Sequence, residues 1–226
     1  MVYRIVLAGK ARAFIERLSS RPQVGGLQVS DSGFYYALAG SEDRARVLRI
    51  PPGVMQEGRV RDPEQFRNLL AKFRGFVGGA DPTRPLPVVM TLPSALVYTQ
   101  SFSVPNVGAA KLAEVALLNL QMASPLPAET AYLGWQPIRE TADRYELLGA
   151  VAERGAVDSI REAAERAGFS PVAVEFPSLS LARIVGALYR TSPHPILVLL
   201  LSSDGLNLFI YWNGALYFDY FRSWLS

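Results

Sequence analysis

The chain has 226 residues, half of them hydrophobic and 19% charged, which is enough for one medium domain or two small ones with a real core. High apolar content with a net charge of only +3 excludes a disordered chain, and the lack of cysteine excludes a disulfide scaffold or a thiolate-ligated metal. A single histidine, His194, leaves no His-rich zinc site and no ordinary Ser-His-Asp triad.

The basic excess is mild, 23 Lys+Arg against 20 Asp+Glu with a pI near 9.3. Its arginines are scattered without interleaved aromatics, which reads as a solvated surface and not as a nucleic-acid groove. The longest strongly apolar run, Ile196 to Leu201, is far short of the ~20 residues of a bilayer span. The stretch Ile5 to Ala8 is followed by Lys10 and Arg12 and is too short for a signal-peptide core. A cytoplasmic location is therefore expected.

Residues 1–23 read as an N-terminal helix. Val2, Ile5, Val6, Phe14, Ile15 and Leu18 are apolar while Arg4, Lys10, Arg12 and Arg17 are charged, which suits a helix that touches an anionic membrane, one that packs on its own domain, or a loose terminus. A three-stranded meander follows: Leu27–Val29, a Ser30-to-Gly33 turn, Phe34–Leu38, a turn at Gly40–Asp43 and Arg46–Ile50, ended by Pro51-Pro52-Gly53. Asp62, Pro63 and Gln65 predict a capped helix start, with Phe66, Leu69, Leu70 and Phe73 on one face and Gly75 as the stop. After a Gly78–Pro87 loop, Val88–Leu92 reads as a buried strand closed by Pro93.

The middle of the chain reads as a separate α+β layer. It comprises a strand Tyr98–Val104, a helix Ala109–Met122, strands Tyr132–Ile138 and Tyr145–Ala152, a helix Val157–Ala167 capped by Gly168, and a strand Val172–Glu175. A helix Ser178–Tyr189 and a buried strand Ile196–Leu201 follow. The chain ends in a hairpin, Leu206–Trp212 and Ala215–Phe221, about Asn213-Gly214.

One internal echo stands out. Leu27-Gln28-Val29-Ser30-Asp31-Ser32-Gly33-Phe34 and Leu200-Leu201-Ser202-Ser203-Asp204-Gly205-Leu206 share one plan of strand, Ser/Asp/Gly turn and strand, each opening a meander. The order of meander, helix, strand, inserted layer, helix and second meander is that of the actin-like ATPases. Pro51 to Asp62, Val88 to Pro93, Phe102 to Pro105, and Ala167-Gly168-Phe169 with Val174-Glu175 resemble segments of the PilM family of cytoplasmic type IV pilus assembly proteins. GspL proteins of type II secretion share that architecture.

The resemblance covers roughly Gly26 to Trp224 and implies an α/β chain: an actin-like (RNase H-like) half with an inserted α+β subdomain and the start of the second half. Residues 24–93 and 174–190 would be subdomain 1A, 94–173 the inserted subdomain 1C, and 191–226 the start of subdomain 2A. Subdomain 2B and the adenosine-binding segment have no counterpart, so the sequence reads as truncated or as a natural half.

In this fold two hairpin loops grip the phosphates, each normally carrying an acidic residue with glycine, of the form Asp-Ile-Gly, to organise Mg²⁺ and to admit backbone N–H groups. Alignment puts Gln28 and Leu200 in the acidic positions and Ser30 and Ser202 in the glycine positions. Glutamine is a poor Mg²⁺ ligand and leucine none. The implied degenerate phosphate loops are Gln28, Ser30, Asp31, Ser32 and Gly33, and Ser202, Ser203, Asp204 and Gly205. Asp31 and Asp204 read as turn residues, with a displaced nucleotide contact as the alternative. No catalytic residue, metal or cofactor is expected; ATP is the ligand left open.

The resemblance implies a non-enzymatic cytoplasmic platform of a type IV pilus or related secretion machine, tied to the inner membrane through its partners. It would hold the cytoplasmic peptide of a PilN-like inner-membrane protein and meet other subunits of the machine. The sequence does not name the groove residues; strand ends near Pro51, Pro93 and Pro105 mark where to look. Peripheral membrane contact and a homo-oligomer are further expectations, and no nucleic-acid partner is expected. Two alternatives stay open: an ATP-binding or hydrolysing actin-like protein using Asp31 and Asp204, and a GspL-like docking domain for a secretion ATPase.

Overall fold

The computed structural model describes residues 24–38, 45–78, 84–190 and 192–224. The N-terminal helix read over 1–23 and the turn read at Gly40–Asp43 lie outside them. The described residues form two compact units. One contains the residues up to Leu96 and Gly155–Phe176; the other contains Val97–Arg154 and the residues from Pro177 on.

The first unit is built on a five-stranded sheet in the order β10-β6-β1-β2-β3. Its strands are β1 (Gly25–Ser30), β2 (Gly33–Leu38), β3 (Arg46–Arg49), β6 (Leu86–Thr91) and β10 (Phe169–Glu175). The first three form the antiparallel meander, and β6 and β10 add on in parallel. Period-two alternation in β1 sends Leu27 and Val29 to one face, where with Phe34, Val88 and Met90 they are fully buried. Helix α1 (Pro63–Val77) covers that face: Phe66 and Phe73 lie 5.4 and 5.7 Å from the Phe34 ring. Asp62 caps α1 as read, its Oδ1 accepting from the Gln65 N–H at 2.9 Å.

The second unit holds two sheets. β7 (Val97–Pro105), β9 (Arg144–Glu153) and β8 (Ala131–Glu140) pair in the order β7-β9-β8, under helix α2 (Ala109–Ala123) through Leu112, Ala116 and Leu120. β11 (Ile196–Leu201), β12 (Gly205–Trp212) and β13 (Ala215–Ser223) form the second meander, with helix α4 (Pro177–Leu188) on one face. Asn213 and Gly214, at φ 47° and 82°, make the tight turn that their sequence announces.

The structure departs from the reading in four places. The helix does not stop at Gly75; it runs to Val77 and ends at Gly78 (φ 76°), because an isolated glycine costs a helix only about 1 kcal/mol. A small hairpin, β4 (Met55–Gln56) and β5 (Arg59–Val60), follows Pro51-Pro52-Gly53. Helix α3 (Arg154–Arg166), apart from its first residue, and all of β10 group with the first sheet and not with the inserted layer, because β10 pairs in parallel with β6. Finally, Ile196–Leu201 is half-exposed, since it is an edge strand whose sheet carries a helix on one side.

Arg74 of α1 is buried, and its guanidinium reaches three carbonyl oxygens: Gly168 from Nε (3.1 Å), Gly78 from Nη1 (2.6 Å) and Arg84 from Nη2 (3.2 Å). Replacing it with alanine leaves all three acceptors without this donor. Arg74→Ala is expected to destabilise by about 3 kcal/mol, and Arg74→Lys by nearly as much because an ammonium cannot span the fork. Urea unfolding followed by far-ultraviolet circular dichroism measures both.

Candidate functional site

The two echoed loops have the same internal bonding. In the first, Ser30 Oγ donates to the Gly33 carbonyl (3.1 Å) and accepts from the Gly33 N–H (3.2 Å). In the second, Ser202 Oγ donates to the Gly205 carbonyl (3.1 Å) and accepts from the Gly205 and Asp204 N–H groups, both at 3.3 Å. Each closing glycine lies against the third strand of its meander. A Cβ on Gly33 would stand 2.9 Å from the Leu48 carbonyl oxygen, and one on Gly205 would run into that of Arg222. A serine at the strand end and a glycine three residues on are thus one device used twice.

The device occupies the N–H groups of Gly33, Asp204 and Gly205, donors of the kind that a phosphate-gripping loop must offer. Asp31 faces the β4–β5 turn. Its Oδ1 accepts from the Gly58 N–H at 2.8 Å and holds a turn in which Glu57 (φ 50°) and Gly58 (φ 77°) are both left-handed. A Cβ on Gly58 would also lie 2.6 Å from Leu96 Cγ. Asp204 accepts from Ser203 Oγ (3.1 Å), and its carbonyl accepts from the Trp224 N–H (3.4 Å). The Trp224 indole N–H donates to the Ser202 carbonyl at 2.8 Å. Ser32 Oγ lies 3.1 Å from Ser30 Oγ. Gln28 is exposed and Leu200 half-buried in strand positions that correspond when counted back from the two serines.

The first loop belongs to one unit and the second to the other. Of the prolines marking candidate groove ends, Pro51 and Pro105 are exposed and Pro93 is buried. Among the described residues, no three of His, Asp and Glu are grouped to hold a metal ion.

A polar cluster in the second unit was not found from the sequence. Asp219 is half-buried, and its carboxylate accepts from Ser178 Oγ near the start of α4 and from Thr99 Oγ1 of β7 (3.4 Å); Thr99 Oγ1 also donates to the Asp219 carbonyl at 2.9 Å. Strand, helix and inserted layer are tied at this point. Desolvation raises the Asp219 carboxyl above its ordinary value, and the Ser178 and Thr99 hydrogen bonds oppose that rise. The strand itself, Tyr217 to Phe221, carries aromatics on both faces and so does not say which way Asp219 points.

Among solved structures, the chain is similar to a chain of the PilM–PilN type IV pilus biogenesis complex, with 19% identity and a TM-score of 0.75 over 90% of this chain and 62% of that one. It is similar to the cytoplasmic domain of EpsL, an inner membrane component of the type II secretion system of Vibrio cholerae, with 10% identity and a TM-score of 0.56 over 89% of this chain and 71% of that one. It is also similar to a Bacteroides thetaiotaomicron protein with an actin-like ATPase fold and unknown function, with 10% identity and a TM-score of 0.53 over 90% and 71%. The chain therefore has an actin-like fold, and it spans less than two thirds of the PilM–PilN complex chain. No family description and no curated protein matches the sequence.

Two outcomes are expected. Asp31→Ala leaves the Gly58 N–H without its acceptor and lowers stability by about 1–2 kcal/mol, while Asp31→Asn, which keeps an acceptor oxygen, lowers it by less; denaturation midpoints decide. Because the Asp219 carboxyl is raised in the fold, its proton is bound more tightly there than in the unfolded chain. Its contribution to stability is present at low pH and is lost as pH rises through the raised value. Asp219→Asn should therefore gain on the parent as pH is raised from acid to neutral, which thermal melts at several pH values measure.

Proposed function

We propose that this chain is a non-catalytic cytoplasmic platform of a type IV pilus or related secretion machine. On this reading it holds the cytoplasmic peptide of a PilN-like inner-membrane partner and meets the membrane through that partner. The observation that carries the reading is the closure of both phosphate-position loops by Ser30 and Ser202. Ser30 engages the Gly33 N–H, and Ser202 those of Asp204 and Gly205, which a phosphate would otherwise have to compete for. Gln28 and Leu200 at the acidic positions supply no charge to organise Mg²⁺, and phosphoryl transfer depends on that electrostatic positioning. Asp31, the nearest substitute carboxylate in the first loop, is engaged with Gly58.

The fold supports the machine. The similarity to the PilM–PilN complex chain (TM-score 0.75) exceeds that to EpsL (0.56), which favours the peptide-holding role over docking of a separate secretion ATPase. An extended peptide of this kind binds by laying its backbone along a groove or a sheet edge.

Calorimetric titration with Mg-ATP tests the first half of the reading. No heat of binding is expected at millimolar nucleotide; micromolar affinity would overturn it and make Asp31 and Asp204 the residues to mutate. Fluorescence anisotropy with a labelled N-terminal peptide of a PilN-type protein tests the second half: saturable binding is expected, and none would overturn the partner.

A further inference from the structure

Within the second unit, β13 is stitched to β7 without a strand ladder. Thr99 and Ser101 alternate on one face of β7, and each donates its hydroxyl to a carbonyl of β13: Thr99 Oγ1 to Asp219 at 2.9 Å, and Ser101 Oγ to Tyr217. Two residues on one strand answer two on the other, so hydroxyls stand where a ladder would have backbone N–H groups. Ala150 and Leu148 of β9, in register with Thr99 and Ser101 on that face, are buried.

The hydrogens at this seam do not suffice for its acceptors. Thr99 has one O–H. Two oxygens of Asp219 lie within its reach, the carbonyl at 2.9 Å and carboxyl Oδ2 at 3.4 Å. Ser178 Oγ, in a fully buried residue, donates to Oδ1. An ionised Asp219 brings acceptors only, and it draws the Thr99 hydrogen away from the carbonyl. A protonated Asp219 reverses this: Oδ2–H donates to Thr99 Oγ1, the Thr99 hydrogen goes wholly to the carbonyl, and Ser178 still donates to Oδ1. In that state every polar atom of the cluster has a partner.

The surroundings do not supply a charge that alters this count. On β12, Phe209 stands opposite Asp219 and is buried, and Tyr211 turns its hydroxyl to Gly186 of α4. The charged residue of α4 is Arg183, which is exposed. In line with Thr99, the inserted sheet carries Ala150 and Gly134. The titratable groups farther along that face are Tyr132, whose ring lies 4.4 Å from the Arg154 guanidinium carbon, and Glu146, which pairs with Arg144 and stands opposite Arg139. On β13 itself they are Tyr217, Tyr220 and Arg222. Burial, which disfavours the charged form, is the largest influence on the Asp219 carboxyl.

We propose that Asp219 holds a proton while β13 lies closed on β7, and that losing this proton loosens the seam. One buried acid is then a latch between the second meander and the β7-β9-β8 sheet. It is closed while Asp219 is neutral and eases as pH rises and the acid ionises. The Ser101 bond to Tyr217 has no titrating partner, so it holds the strands in register in both states.

Infrared spectra of the full chain with isotope-labelled aspartate, taken over a pH series, follow the proton. One neutral-acid band should persist after the other aspartates have ionised, and Asp219→Asn should remove it. Loss of every such band together overturns the proposal. Amide hydrogen exchange, corrected for its intrinsic pH dependence, follows the seam. Exchange along β13 should rise about fivefold as that band is lost, the worth of roughly one hydrogen bond, while the β8–β9 ladder stays unchanged. Asp219→Asn supplies an N–H in place of the acid O–H and cannot ionise, so it should hold β13 at the low-pH rate throughout. Thr99→Ser should keep the response, and Thr99→Val should lose it because no hydrogen is left to divide. A response that survives in Asp219→Asn or in Thr99→Val overturns the latch. So does a rise shared by the β8–β9 ladder, which would be unfolding of the whole unit.

Discussion

The first unit depends on one buried cation. A helix end, an incoming strand and a turn would each leave carbonyl oxygens facing inward near Phe169, and Arg74 supplies N–H groups to all three, through Gly78, Arg84 and Gly168. No carboxylate is paired with it among these contacts; the charge is balanced by carbonyl dipoles and by the Phe169 ring, 5.9 Å from the guanidinium carbon. Such a charge is costly to bury, so the fork geometry must be satisfied in full. What it secures is the start of the parallel part of the sheet. The Gly168 carbonyl that Arg74 holds also accepts from the Leu86 N–H, which sets β6 against β10 before the first ladder bond.

One hairpin loop projects from that sheet and the other from the second meander, and in each a hydroxyl stands where the resemblance expects a glycine beside a carboxylate. A serine can close a four-residue turn by itself, because it is both donor and acceptor. It brings no net charge. Ser30 and Ser202 therefore hold the shape of the loops through the N–H groups of Gly33 in the one and of Asp204 and Gly205 in the other. Asp31 is likewise engaged in structure: its carboxylate accepts from the Gly58 N–H in a left-handed turn.

Much of this was legible in the sequence where the cause is local. Asp62 with Pro63 started α1, Asn213-Gly214 turned the last hairpin, and the Ser-to-Gly echo marked the two loops, since each depends on residues within a few positions. What was missed depends on partners far along the chain. The sheet that β10 joins is fixed by β6, some eighty residues earlier. The inward turn of Asp219 is fixed by Thr99 and Ser178. The β4–β5 hairpin was missed for a different reason: two-residue strands carry no periodicity, and only Gly58 announced the turn.

The two meanders show why apolar content alone misleads. Leu27, Val29 and Phe34 are fully buried, while their counterparts Leu199 and Leu201 are more than half exposed although no less apolar. Hydropathy records that a face needs covering; it does not record the element that covers it. In the first sheet that element lies close by, as α1 with its apolar positions in step with the pleat. In the second, α4 takes one side only, and the burial that a run such as Ile196–Leu201 suggests cannot be complete until another element lies on the other.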